Sequence, residues 1–167
     1  MDEIVYKVVE TATERAGHFA VRHTIFVEEQ HLFDESDVDK YDSDAILLVA
    51  LDTQTGAVVG AVRCIATGAD VWYGGRLAVL PAYRRLPAAV GASLCHLAEA
   101  TVIARGCRRF LAYIQLQNVR FFEHLGWTAM GEPICHYGEP HQIMSASLAA
   151  ATYPIDRSHA LRDIVHA

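Results

Sequence analysis

The stretch with the most chemical reach in this chain is Gly75-Arg76-Leu77-Ala78-Val79, followed by Tyr83-Arg84-Arg85 and a helix start between Pro87 and Gly91. The first turn of a helix presents backbone N–H groups that have no intrahelical partner, together with a partial positive charge. Two arginines on the approach add full charges, and the combination suits an anion such as a pyrophosphate. An ordinary strand-to-helix connection with exposed arginines has the same pattern, so the residues alone do not choose. The nine histidines include no His-Glu-x-x-His pair, and His136 with His141 is too sparse to hold a metal. Cys64, Cys95, Cys107 and Cys135 lack any Cys-x-x-Cys spacing and read as buried or free thiols of a reducing compartment.

These residues need elements to position them. Ile4–Val9 reads as a strand that hands over to a helix, with Thr11 and Glu14 spaced as a capping box. Ala16, Phe19, His23 and Phe26 recur at helical spacing, so the helix is predicted to run to about Val27, with Arg15 and Arg22 available for its other face. Residues 28–44 are acidic and aperiodic, a long loop with a short helical turn; a solvated acidic surface would look the same. Residues 45–51 and 57–65 read as an antiparallel hairpin. Residues 71–80 form a strand in which Gly74-Gly75 predicts a bulge. A second main helix follows Pro87, with Val90, Leu94, Leu97 and Thr101 on one face and Gly106 as its stop. Residues 108–115 form a strand, Asn118 caps a brief helix over 119–125, and residues 127–131 and 142–148 complete the sheet. The tail beyond Ala151 breaks at Pro154, with a last turn predicted near Leu161, Ile164 and Val165.

At 167 residues the chain matches one domain burying roughly 70% of its unfolded surface, and a 52% hydrophobic composition excludes disorder. Fourteen Lys and Arg against twenty Asp and Glu give a net charge of -6, which disfavours nucleic acid as a partner. No apolar run is long enough for a bilayer, and the acidic start Met1-Asp2-Glu3 is unlike a signal peptide, so no membrane partner and a cytoplasmic location are expected.

Six blocks in order carry a resemblance: VRHTIFVEEQ at 21–30, DKYDSDAILLVALD at 39–52, GAVVGAVRC at 56–64, GRLAVLPAYRR at 75–85, NVRFFEHLGW at 118–127 and GEPHQIM at 138–144. Together they resemble the GNAT superfamily of acyl-CoA-dependent N-acetyltransferases. Within it they are similar to small bacterial stand-alone members with F-V-x-E-Q and G-x-P-H motifs. The resemblance implies an α/β (α+β) fold with a mixed, mostly antiparallel sheet of six to seven strands, splayed between strands 4 and 5 and flanked by about four helices. That domain is expected over 1–150, with a C-terminal tail over 151–167.

The same resemblance implies acetyl-CoA, or another acyl-CoA, as co-substrate and no metal. The pantetheine arm would pair with Leu77, Ala78 and Val79. The pyrophosphate loop would fall on Arg84, Arg85, Leu86, Ala88 and Ala89, with Gly91 one turn on. Pro87 stands where the pattern has glycine and donates no N–H; a register starting at Arg85 is the alternative. Asn118 would lie near the pantetheine. Phe122 stands where many relatives have the tyrosine that protonates the leaving thiolate, which leaves Tyr137, Cys135, His141 or water for that task. Glu29, or Glu28, is a candidate base directly or through water, and His141 a candidate base or substrate contact. Arg22 and Arg63 would order the acidic loop through Asp39 or Asp42.

The expected function is therefore direct transfer of an acetyl group from acetyl-CoA to the amine of a small molecule, a cationic one if the acidic loop sets the field. Two other classes are kept. An acyl-homoserine-lactone synthase is partly echoed by Arg22 and Asp37-Val38-Asp39-Lys40-Tyr41-Asp42. A catalytically weak acyl-CoA-binding module would accommodate Phe122 and Pro87. The tail fits either a homodimer contact or a domain junction.

Overall fold

A computed structural model describes residues 3–68, 70–85 and 89–148. Pro87 and the turn predicted near Leu161 lie outside them, as do the candidate site residues Leu86 and Ala88. Strand β1 (Ile4–Val8) leads into helix α1 (Ala12–Arg22), whose start is the predicted capping box. Thr11 accepts from the Glu14 N–H at 3.0 Å, and Glu14 accepts from the Thr11 N–H at 3.2 Å. Strands β2 (Ile46–Asp52), β3 (Val58–Ala66) and β4 (Val71–Val79) follow, then α2 (Val90–Ala104), β5 (Arg109–Gln115), α3 (Val119–His124), β6 (Thr128–Ala129), β7 (Ile134–His136) and β8 (Glu139–Ser145).

The sheet order is β1-β2-β3-β4-β5-β8-β6, with β7 also pairing β8; every pair is antiparallel except β4 with β5. Eight strands are present because the two short ones, β6 and β7, share one edge of β8. The parallel pair is brief: Val71, Trp72 and Tyr73 match Arg109, Phe110 and Leu111, and beyond them β4 runs on to Val79 with no partner on that side. The sheet is thus splayed between its fourth and fifth strands.

The larger core lies on the α2 face, where Leu48, Val62, Leu94, Phe110, Phe122 and Met144 are buried together. Gly60 allows α2 to approach β3, since a Cβ there would sit 2.9 Å from Leu94 Cδ1. A smaller cluster on the α1 face joins Val21, Ile25 and Phe26 to Ala61 and Ala78.

The first helix departs from its expected form. It changes at His23 into a π-helical segment that ends at Glu29, where Gln30 N–H donates to the Ile25 carbonyl at 2.9 Å. The face on the sheet is His18, Val21, Arg22 and Ile25; Ala16 is exposed, and Arg22, assigned from sequence to the outer face, is completely buried. Hydrophobic periodicity mislaid this face because two of its members are polar. The bulge expected at Gly74-Gly75 falls one step later, at Arg76-Leu77, where Ala61 and Arg63 of β3 face Ala78 and Gly75. Arg76 takes the strain, with φ of 60°. The Asn118 side chain makes no cap hydrogen bond, and α2 begins at Val90 after Ala89 at φ 47°.

Candidate active site

Three buried arginines, Arg22 of α1, Arg63 of β3 and Arg76 of β4, reach into the acidic loop. Arg22 spends all five N–H groups: Nε on Asp37 Oδ2 at 2.6 Å, Nη1 on Asp42 Oδ1 at 2.7 Å and on His18 Nε2 at 3.2 Å, Nη2 on Asp42 Oδ2 at 3.0 Å and on the Asp37 carbonyl at 3.3 Å. Arg63 holds Asp39 in a fork of 2.7 and 2.8 Å and reaches Asp42 Oδ1 at 3.0 Å. Arg76 donates from Nε to Asp37 Oδ2 at 3.1 Å, and from Nη2 to the Asp37 carbonyl at 2.9 Å and Asp39 Oδ2 at 3.4 Å. Arg22 and Arg63 therefore order the loop, as the resemblance implies, through three carboxylates. Although Asp42 is buried and Asp39 half-buried, Arg63 beside Asp39 and Arg22 beside Asp42 hold their carboxyls below the usual range. Since three arginines neutralise three aspartates here, these acids lend no net negative field to a cationic acceptor.

His18 completes the network and makes it acid-sensitive. Its Nδ1 donates to the Leu48 carbonyl at 3.0 Å, which leaves Nε2 to accept from Arg22. Burial, then the Arg22 charge, lowers its pKa from 6.5 to about 3. The unfolded chain therefore takes up a proton near pH 6.5 that the folded chain refuses. This stability is complete above pH 6.5 and is lost as pH falls towards 3, at about 1.4 kcal/mol per pH unit. Urea unfolding at pH 6.5 and pH 5 should differ by about 2 kcal/mol from His18 alone, with His96 and His136, also lowered by burial, adding to it. The aspartates titrate lower, so an unchanged midpoint at pH 5 would remove His18 from the core.

Beside this network, on the α1 face, lies a cavity of about 430 Å3. Phe26, Leu32 and Phe33 form one wall; Arg63 and Ile65 of β3 with Tyr73 and Arg76 of β4 form the floor; Tyr113 and Gln115 of β5 with His136, Tyr137 and His141 form the far side. Tyr73 stacks on Tyr113 at 5.8 Å between ring centres and Tyr113 on His136 at 4.6 Å. Tyr137 and Gly138 both have positive φ, 52° and 75°, and make the two-residue turn that brings β7 back onto β8. That turn sets Tyr137 against Phe33 at 4.7 Å and His136 at 4.1 Å.

His141 is 2% exposed and its Nδ1 lies 2.9 Å from the Glu139 carbonyl. A carbonyl only accepts, so in the neutral ring Nδ1 carries the proton and Nε2 keeps its lone pair. His136 is held below the ordinary histidine range by burial, then by the charges of His141 and Arg76.

A second cavity, of about 450 Å3, lies at the start of α2. Leu77, Val79, Arg84, Ala89, Gly91, Asn118 and Phe122, all singled out from sequence, line it with Val90, Ala92 and Phe121. The Ala78 side chain instead faces α1. Arg85 is exposed and lines neither cavity. The Phe122 ring is fully buried against Trp127 and Phe121, with no hydroxyl to offer. Arg84 bends back, Nε donating to the Val79 carbonyl at 3.0 Å and Nη2 to Glu29 Oε1 at 2.6 Å. Glu29 is thus paired at the surface and borders neither cavity: the π-helical winding turns it off the face it would share with His18, Arg22 and Ile25 in a regular helix. Sequence reasoning missed Arg76, Tyr73 and Tyr113 as cavity residues, because their alternation reads as ordinary strand. The Gly pair beside Arg76 was the available signal.

The cavities flank the splayed part of the sheet, one on each face. Among the described residues, no group of three or more His, Cys, Asp or Glu could hold a metal ion, and no helix is long and apolar enough to cross a membrane.

The acetyltransferase (GNAT) family model matches residues 7–127. Among solved structures, a candidate N-acetyltransferase from Lactobacillus plantarum is similar at 26% identity, over 88% of this chain and 98% of that one, with a TM-score of 0.76. An acyl-CoA N-acyltransferase from Pseudomonas aeruginosa is similar at 18% identity over 88% and 100%, TM-score 0.69. The CoA-dependent acyl-homoserine lactone synthase BjaI is similar at 20% identity over 99% and 93%, TM-score 0.68. No curated protein matches the chain significantly.

Proposed function

The chain belongs to the acetyltransferase (GNAT) family and is an acyltransferase, and from that premise we propose that it moves an acetyl group from acetyl-CoA directly to the amine of a small molecule in the cytoplasm. The observation that carries this reading is the unpartnered edge of β4 beyond Tyr73, bordered by a cavity on each face. Acetyl-CoA supplies the thioester. Leu77 and its strand neighbours offer backbone N–H groups to polarise its carbonyl, and the first turn of α2 offers N–H groups to phosphate. The residues present fit that load: Ala89 and Gly91 keep the cavity at the α2 start free of bulk.

The amine enters from the α1 side. His141 Nε2 accepts its proton as the N–C bond forms and the C–S bond breaks, and that proton is the one available to the departing sulfur. This assignment suits the absence of an acid at Phe122, and it prefers His141 to Glu29, whose carboxylate is tied to Arg84. Tyr137 closes the cavity over the acceptor. Cys64, Cys95 and Cys107, all buried and in no disulfide among the described residues, suit a reducing compartment.

A second reading, an enzyme like the acyl-homoserine-lactone synthases, is supported by the pairing of Arg22 with Asp37 and Asp42, the pattern by which the sequence echoes that class. Calorimetric titration should find micromolar binding of acetyl-CoA and of free CoA. Thiol release should then follow with an amine and not with S-adenosylmethionine. Release with S-adenosylmethionine alone would establish the second reading, and no binding at millimolar CoA would overturn both.

A further inference from the structure

We propose that the cavity on the α1 face recognises a carboxylate on the acceptor through Arg76, so that the substrate is an α-amino acid with an apolar or aromatic side chain. This rests on the acyltransferase reading and names its acceptor class.

Arg76 is 7% exposed, lines the cavity, and occupies the one bulge of β4 with a backbone conformation that favours glycine. A strained, buried, charged residue at the splay point is held there by its surroundings. Its guanidinium lies over the Phe33 ring at 4.6 Å and the Tyr137 ring at 5.3 Å, which fixes its plane. Nε and Nη2 are taken by Asp37 and Asp39, and Nη1 makes no hydrogen bond among the described residues.

The acids around it are already committed. Asp37, Asp39 and Asp42 each accept from two arginines, while Arg63 Nε is buried with no hydrogen-bond partner among the described residues, so the cluster has donors left over and no spare carboxylate. A group that completes Arg76 must accept hydrogen bonds, and a carboxylate matches that edge. Phe26, Leu32, Ile65 and the Tyr73–Tyr113 stack give the cavity apolar and aromatic walls for a side chain, and its one lining carboxylate, Asp39, is already held by Arg63 and Arg76. An α-amino acid puts its amine one carbon from the carboxylate, which directs the nucleophile by the same contact.

The test uses the wild-type enzyme with acetyl-CoA and three acceptors of matched side chain: phenylalanine, phenylalaninamide and phenethylamine. Phenylalanine should exceed both others in kcat/KM by on the order of 10- to 100-fold, the discrimination a buried charged hydrogen bond supports, chiefly through KM. In Arg76→Gln that ratio should collapse towards one. Equal or better turnover of phenethylamine by the wild type would overturn the carboxylate subsite and leave the N-acyltransferase standing. Acetyl-CoA binding without transfer to any amine would instead overturn the acyltransferase assignment to amines, and this inference with it.

Discussion

Arg22→Ala should cost 3–5 kcal/mol of folding stability, a large part of the 5–15 kcal/mol a domain of this size has, and should leave the protein partly unfolded at 37 °C. The reason is the completeness of its bonding. A guanidinium with no exposed surface has all five N–H groups on Asp37, Asp42 and His18, so truncation removes charge from beside two carboxylates that are themselves about 2–3% exposed. Asp42 would keep only Arg63 and the Asp39 N–H, and His18 Nε2 would lose its donor. Water cannot follow easily, because Phe19 covers the guanidinium at 4.9 Å. Arg22→Lys should recover little, since a single ammonium cannot reach both aspartates in fork geometry. Urea unfolding monitored by tryptophan fluorescence reads the difference directly, Trp72 and Trp127 both being in the core. A loss below about 1 kcal/mol would mean that the network is solvated and worth no more than a surface ion pair.

The same cluster shows where the sequence was legible. Ordered motifs carried the fold: the capping box, the hairpin, the start of α2 and the short helix after Asn118 all lie within a residue or three of their expected places, because each depends on local backbone chemistry. The second cavity was legible for the same reason, as its lining comes from one continuous strand–turn–helix unit plus α3. The cavity on the α1 face was legible only at Tyr137 and His141. Its walls come from the π-helical segment and the loop after it, five strands and a hairpin turn, so its residues meet only through register. A bulge at Arg76 and a π turn at His23–Glu29 each shift that register by about one residue. Glu29 illustrates the cost: a regular helix would have set it on the buried face, whereas the looser winding delivers it to Arg84 at the surface.

The acidic loop was legible in part: the resemblance implied that Arg22 and Arg63 order it through Asp39 or Asp42, whereas Asp37 and Arg76 were not expected there. Its charges imply a solvated or cation-attracting surface when counted one by one. Three arginines 15 to 39 residues away in sequence cancel three of them; the family resemblance pointed to two, and no local pattern reports the third, Arg76.

His141→Phe is expected to lower kcat by on the order of 100- to 10,000-fold at pH 7, with KM for acetyl-CoA little changed, because it removes the base and keeps the ring volume. The prediction follows from tautomer geometry and rests on the acyltransferase reading. The Glu139 carbonyl fixes the proton on Nδ1, and Nε2, with no hydrogen-bond partner among the described residues, belongs to a ring lining the acceptor cavity. Loss of the ring alone is not the cause, so His141→Ala should regain part of its rate when imidazole is added, which a purely structural role would not allow. Glu29→Gln provides the contrast. With its carboxylate bound to Arg84 outside both cavities, it should change kcat by less than about 3-fold, the size of effect expected of a surface ion pair. Steady-state thiol release separates the cases: the wild type and Glu29→Gln should turn over at similar rates, and His141→Phe should not. If His141→Phe retains kcat within a few-fold while Glu29→Gln abolishes it, then Glu29 must leave Arg84 to act through water, and the proton would travel along the helix end instead of through β8.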